Sequence, residues 1–202
     1  MVRAAVSSVL VIVLTTLIFG LAYPLLMTGF AQVTFSNKAD GSLIEKSGKV
    51  VGSKLVAQGF SSAKYFHPRP TATSPAYTAG GSWLGGDTTF ANLGPTNPTL
   101  AQNVNTAADA ILKLEGPYNP GLTVHDIPVD AVVTSGSGID PDISPAYAQL
   151  QAKRIAAVRH VHIATVQQLI SKYTIGRSWD FFGEPGVNVL ELNLALDAQG
   201  TS

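Results

Sequence analysis

Four histidines, at positions 67, 125, 160 and 162, are the first residues in this chain to test for chemistry. His160 and His162 are two apart, which turns them to different faces of a helix, so they do not share a metal. No His-x-x-x-His pair occurs, no Ser-His-Asp set stands out, and there is no Cys. The absence of Cys excludes thiol catalysis, Cys-based metal sites, disulfides and lipoprotein anchoring. Gly41 followed by Gly48-Lys49 is the nearest approach to a phosphate-binding loop. Six residues separate the glycines where four are needed, and Val50 replaces the Ser or Thr that would hold magnesium. Ser47-Gly48 between Leu43–Glu45 and Lys49–Val51 reads instead as a hairpin turn.

Two further clusters remain. Ser135-Gly136-Ser137-Gly138 lies between an expected strand and an expected helix, where backbone N–H groups could converge on an anion. Asp140 and Asp142 follow at once and oppose a phosphate unless a cation accompanies it. The structural reading is a tight connection in which Gly supplies positive φ and the carboxylates favour the helix N-terminus. Tyr65-Phe66-His67-Pro68-Arg69-Pro70 packs two aromatics, a titratable ring and a cation between prolines. Tyr65, Phe66, His67 and Arg69 have the composition of an interface anchor, and the same residues suit a loop folded back on its own domain. Nothing here reads as an active site that performs chemistry by itself.

The elements that must carry these clusters begin with an anchor. Only 13% of the chain is charged, against about 25% in an ordinary soluble protein. Ala4 to Asn37 holds no charge, and Ala4 to Tyr23 is almost wholly apolar, enough for a helix that spans the hydrocarbon core. The expected organisation is an N-terminus over residues 1–3, a transmembrane anchor over 4–30, and one soluble domain over 31–202. A cleaved signal is the alternative, since Gly29-Phe30-Ala31 offers small residues, but the apolar run is longer than a signal needs. That alternative would make the chain a secreted binding protein or enzyme. Charge counting, Arg3 against Lys38, Lys46, Lys49 and Lys54, favours the wrong end for an exported domain, although large domains translocate largely regardless of charge. From Lys38 onward basic and acidic residues nearly balance, so there is no field for nucleic acid.

The soluble part reads as mixed α and β. Residues 61–100 carry five prolines, Gly80-Gly81 and Gly85-Gly86 without helical periodicity, and long loops of this kind are usually functional or disordered. Tyr77, Trp83 and Phe90 argue against disorder. Asn97-Pro98 opens an expected helix over Leu100 to Leu114. Ile127 to Thr134 reads as a Val-rich strand. Ser144-Pro145 starts a second helix with Leu150, Ile155, Val158 and Val161 on its apolar face. Thr165 with Gln168 predicts a capping box for a third, ending near Tyr173. Leucines at 190, 192, 194 and 196 alternate, which predicts a strand over Val187 to Asp197.

Taken in order, these segments resemble a known family. The single span ending in Tyr23-Pro24-Leu25-Leu26, Gly41-Ser42-Leu43-Ile44, Gly52-Ser53 with Gln58-Gly59-Phe60, the Tyr65 to Pro70 loop and Asn92-Leu93-Gly94-Pro95 are similar to the C subunit of the Kdp potassium-transporting ATPase. So are Val129 to Pro141, Ile143-Ser144-Pro145, Gln151 with Arg154 and Arg159, and Val187 to Asp197. Asp142 stands where many members have His, and Pro68 where Gly is common. Residues 115–126 match no family motif.

The resemblance implies one transmembrane α-helix followed by a mixed α+β domain outside the cytoplasm, in a bacterial or archaeal-type cell membrane. It implies three partners: a channel-like potassium-binding subunit, a P-type ATPase subunit and a small single-span subunit. It implies a non-catalytic accessory role in assembly, as a catalytic chaperone that raises the affinity of the ATPase subunit for ATP. ATP, potassium and magnesium belong to the complex, and no cofactor is expected on this chain. If family ATP binding applies here directly, Ser135, Gly136, Ser137 and Gly138 with Gln151 and Arg154 are the expected pieces, because backbone N–H groups and a guanidinium suit phosphate.

Overall fold

The structure, a computed structural model, describes residues 1–60, 62–71 and 92–199. Gly80-Gly81, Gly85-Gly86, Tyr77, Trp83 and Phe90 of the proline-rich stretch lie outside the described residues. The chain divides into two compact units, Met1–Ser53 and Lys54–Ser202.

In the first unit, helix α1 (Val2–Thr15), a π-helical stretch (Thr16–Ala22) and helix α2 (Tyr23–Ala39) follow one another directly, and α2 is kinked near its end. The 38-residue run is apolar and none of its membrane-length window is buried. At 1.5 Å per residue the stretch before Phe35 extends roughly 50 Å, well beyond a hydrocarbon core of about 30 Å. Helix thus continues past residue 30, the expected end of the anchor. Pro24 has no N–H to offer the Gly20 carbonyl, and the turn just before it is wound as π-helix. Phe35 breaks the helical geometry at φ −141°, ψ 40°. Strands β1 (Leu43–Lys46) and β2 (Lys49–Ser53) then pair antiparallel. Ser47 and Gly48 both adopt positive φ, the conformation a two-residue hairpin turn requires.

The second unit holds the core. Asn97 caps helix α3 (Pro98–Glu115) by accepting the Thr99 N–H. Ser144 caps helix α4 (Pro145–Arg159) by accepting the Tyr147 N–H. Both starts were legible as a capping residue followed by Pro. Helix α5 (Ile163–Tyr173) begins two residues before the expected Thr165, with His162 at its cap position and no side-chain cap bond, so the predicted capping box does not form. Three short strands, β3 (Asp142–Ile143), β4 (Thr174–Ile175) and β5 (Gly186–Asn188), form an antiparallel sheet in the order β3-β5-β4. A Cβ on Gly186 would come within 3.2 Å of the Asp142 Cβ, so the close approach of β3 to β5 favours Gly there.

Two strand expectations are overturned. Ile127 to Thr134 forms a 3-10 turn over Val129–Ala131 instead. Pro128 cannot donate to a ladder, and Asp130 is drawn to the start of α4, where its carboxylate accepts the Ser144 N–H and Oγ–H. Val187 to Asp197 is strand only through Asn188, then helix α6 (Val189–Ala198). Of its buried residues, Val189, Leu192, Asn193 and Leu196 make a helical stripe of i, i+3, i+4 and i+7, with Leu190 beside it. On α4 the buried face carries Tyr147, Ala148, Gln151, Ala152, Arg154, Ile155 and Ala156, while the expected Leu150 packs against the core only partly buried. Small alanines let neighbouring chain approach closely, and two long polar side chains enter the core between them.

Candidate functional site

The face of α4 determines how the Tyr65 to Pro70 loop is held. Gln151, Arg154 and Arg159 reach the loop or the residues just before it from α4, Asn193 and Asp197 reach it from α6, and Glu115 at the end of α3 holds Arg154. Asn193 and Gln151 act as side-chain substitutes for a neighbouring strand. Asn193 Oδ1 accepts the Phe66 N–H at 2.8 Å while its Nδ2 donates to the Phe66 carbonyl at 2.9 Å. Gln151 Oε1 accepts the His67 N–H at 2.8 Å while its Nε2 donates to the His67 carbonyl at 3.1 Å. Two amides thereby satisfy four backbone groups of a buried loop, groups that would be costly to leave unpaired.

Arg154 is wholly buried. Its Nε donates to Glu115 Oε1 at 2.8 Å, Nη2 to Gln151 Oε1 at 2.8 Å, and Nη1 to the carbonyls of Ala63 and Tyr65. Glu115 is buried with it, and its Oε2 has no partner among the described residues. Burial pushes the Glu115 carboxyl up, opposed by the Arg154 charge. Arg159 donates to the Lys64 carbonyl and to Asp197, and lies 5.0 Å from the centre of the Tyr65 ring. The Tyr65 hydroxyl donates to the other Asp197 oxygen at 3.0 Å.

Phe66 and His67, expected on a docking face, are therefore interior residues, and Phe66 belongs to the main hydrophobic cluster. His67 Nε2 lies 3.2 Å from the Ser62 carbonyl oxygen, which can only accept, so the ring proton sits on Nε2. Burial, aided by the Arg154 charge, lowers the His67 pKa to about 4, and the ring is neutral. Tyr65 and Arg69 are half-buried. Arg69 donates to Asp140 Oδ2 at 2.8 Å and to the Thr134 carbonyl at 3.3 Å, tying the loop to the Gly-rich turn.

That turn is braced by its own hydroxyls. Ser135 Oγ accepts the Gly138 N–H at 2.9 Å, and Ser137 Oγ accepts the Ile139 N–H at 3.2 Å. Gly138 takes φ +72°, and Asp140 Oδ1 accepts the Asp142 N–H. Two of the N–H groups that would face an anion are thus occupied. The hydrogen-bond partners of Gln151 and Arg154 lie in the 62–67 segment and at Glu115, not in the turn. The structure therefore separates the six residues expected to meet a nucleotide into a local turn and an interior clamp.

Beside the turn lies a cleft of about 550 Å³ whose polar lining includes Arg69, Asp130, Asp140, Asp142 and Glu184. Burial pushes the Asp142 carboxyl up, and the nearby Asp140 and Glu191 charges add to this against the Asn188 hydrogen bond. Among the described residues no group of three or more His, Asp or Glu could hold a metal ion. His125, His160 and His162 are exposed. Sequence reasoning missed Glu115, Asn193 and Asp197, whose contacts cross up to 132 residues of chain. It also passed over Trp179, Phe181 and Phe182, although three aromatics within four residues were a visible signal.

The geometry defines a class: a domain behind one membrane-length helix, whose buried cation and amides are spent on holding its own loop. The family model described as KdpC, the K+-transporting ATPase c chain, matches residues 5–198. A Methylococcus capsulatus protein named potassium-transporting ATPase KdpC subunit is 47% identical over 192 residues, 95% of each chain. Proteins of the same name from Paraburkholderia phymatum and Dechloromonas aromatica are 50% identical over 179 residues, 88% of each chain, and 49% identical over 197, 97% of this chain and 96% of the relative. This chain belongs to the KdpC family.

Proposed function

We propose that this chain is the membrane-anchored accessory subunit of an ATP-driven potassium-uptake complex, where it stabilises assembly and assists ATP binding by a P-type ATPase partner. Its other partners are a channel-like potassium-binding subunit and a small single-span subunit, and its domain lies outside the cytoplasm. The observation that carries the reading is the family match, which takes in both the membrane-length helix and the folded domain. Catalysis is assigned to the partners. The interior placement of Gln151 and Arg154 supports an influence on ATP exerted through subunit contact rather than through a nucleotide site on this chain.

A gentle detergent extract of potassium-starved cells should yield the chain together with two larger membrane proteins. Recovery of the chain alone and monomeric would overturn the reading. N-terminal sequencing should find the membrane helix retained. Cleavage after Ala31 would cut inside α2, four residues before its break at Phe35, and a mature start at Gln32 would favour a secreted protein. Calorimetric titration of the purified full chain with ATP and magnesium should show no saturable site, and a saturable site would return nucleotide binding to this chain.

A further inference from the structure

The loop from β4 to β5 exposes what the rest of the domain hides. Trp179 is 83% exposed, Phe181 63% and Phe182 60%. The segment is nonetheless fixed. Ser178 and Phe182 exchange both backbone hydrogen bonds at 2.9 Å, and Arg177 holds Glu184 through both carboxylate oxygens at 2.8 and 2.9 Å. Between them Trp179 and Asp180 adopt φ of +55° and +65°, left-handed conformations that a bulky residue such as Trp rarely takes. Strain of this kind at an exposed tip points to a use for the displayed side chains. The aromatics gain nothing from the domain's own core.

We propose that the Trp179-Asp180-Phe181-Phe182 tip, with the acidic cleft at its base, is a docking surface for a second protein subunit of the complex. The surface of that subunit would combine an apolar pocket for the rings with Lys or Arg at its border. Charge decides the kind of partner. Asp180 stands between the aromatics, and no ion pair of the described residues includes it. Ile175 and Glu184 carry the hairpin into the cleft, where Asp130, Asp140 and Asp142 outnumber Arg69. A lipid surface fits poorly, since anionic headgroups would be repelled and Asp180 would have to enter the interface unpaired. A protein pocket can supply both the apolar walls and a cation. The braced backbone leaves little entropy to lose on docking, and Trp and Arg are the residue types that dominate binding energy.

This proposal rests on the accessory-subunit reading, and one experiment separates the two. The full chain is co-expressed with its complex and purified in detergent as wild type, Trp179→Ala/Phe182→Ala and Asp180→Lys. Recovery of partner subunits with the double variant should fall by about tenfold or more, and Asp180→Lys should also lower it, while the chain's own melting temperature stays unchanged. A photo-crosslinking amino acid at position 181 should join the chain to a protein subunit that co-purifies with the wild type. Recovery equal to wild type, or crosslinks to lipid only, would overturn the docking surface and leave the accessory reading intact. Failure of the wild-type chain itself to co-purify would remove both.

Discussion

The segments Tyr65 to Pro70 and Arg177 to Glu184 each set aromatic rings beside an arginine, yet Phe66 is fully buried and Trp179 is almost fully exposed. Composition does not separate them. The first segment passes under side chains from α4 and α6 that match its backbone, two amides and the Arg154 guanidinium, while Arg159 holds the carbonyl of Lys64 just before it. Among the described residues the second is held by bonds within itself, chief among them the backbone pair between Ser178 and Phe182 and the Arg177 to Glu184 ion pair. A loop rich in aromatics becomes interior when the surrounding helices can satisfy its backbone. It becomes a displayed surface when it satisfies its own.

The sharpest way to break this comparison is Phe66→Ala. A fully buried Phe in the main cluster should cost about 3 to 5 kcal/mol on truncation, read by denaturant unfolding of the full chain in detergent. A loss below about 1 kcal/mol would mean that the loop is not anchored as the structure has it. His67 gives a second large effect. Its folded pKa of about 4 lies below the ordinary 6.5, so the unfolded chain takes up the proton first. Stability from this group is at its full value above pH 6.5 and falls with pH, the loss reaching about 3 kcal/mol at pH 4. Glu115, with its carboxyl raised by burial, runs the other way. The readout is therefore the difference between the wild-type and His67→Gln stability profiles, which should open between pH 6.5 and 4.

Arg69 is the intermediate case, because it sits at the edge where the buried loop meets the acidic cleft. As an interface anchor, Arg69 would on truncation to Ala weaken assembly and spare the melting temperature. With its bonds to Asp140 and the Thr134 carbonyl in view, the expected loss is about 1 to 2 kcal/mol of stability, discounted for partial exposure. Normal stability with lost assembly would restore Arg69 to the docking face.

These corrections mark what was legible. Asn97-Pro98, Ser144-Pro145 and Ser47-Gly48 announced their helix starts and turn because caps and turns are decided within a few residues. The leucines from 190 to 196 misled because alternation was counted on Leu alone, while Val189 and Asn193, also buried, complete a helical stripe. The role of the Tyr65 to Pro70 loop was illegible for a different reason. Its partners at 151, 154, 193 and 197 are distant in sequence, and nothing local in Gln151 or Arg154 distinguishes a phosphate ligand from a clamp on a carbonyl.

The smallest expected effect is the most discriminating. Trp179→Asn removes an indole that contributes nothing to the core and places at φ +55° a residue that tolerates the left-handed region better. Lost apolar contact is negligible because the ring is 83% exposed, and relief of backbone strain works in the opposite direction. Unfolding of the full chain should therefore shift by no more than about 0.5 kcal/mol, with a slight gain more natural than a loss. Phe66→Ala and Trp179→Asn then differ by several kcal/mol although both delete an aromatic ring from a loop with an arginine. A Trp179→Asn loss comparable to that of Phe66→Ala would show that the tip packs against its own domain in solution. The contrast between an interior loop and a displayed one would then fail.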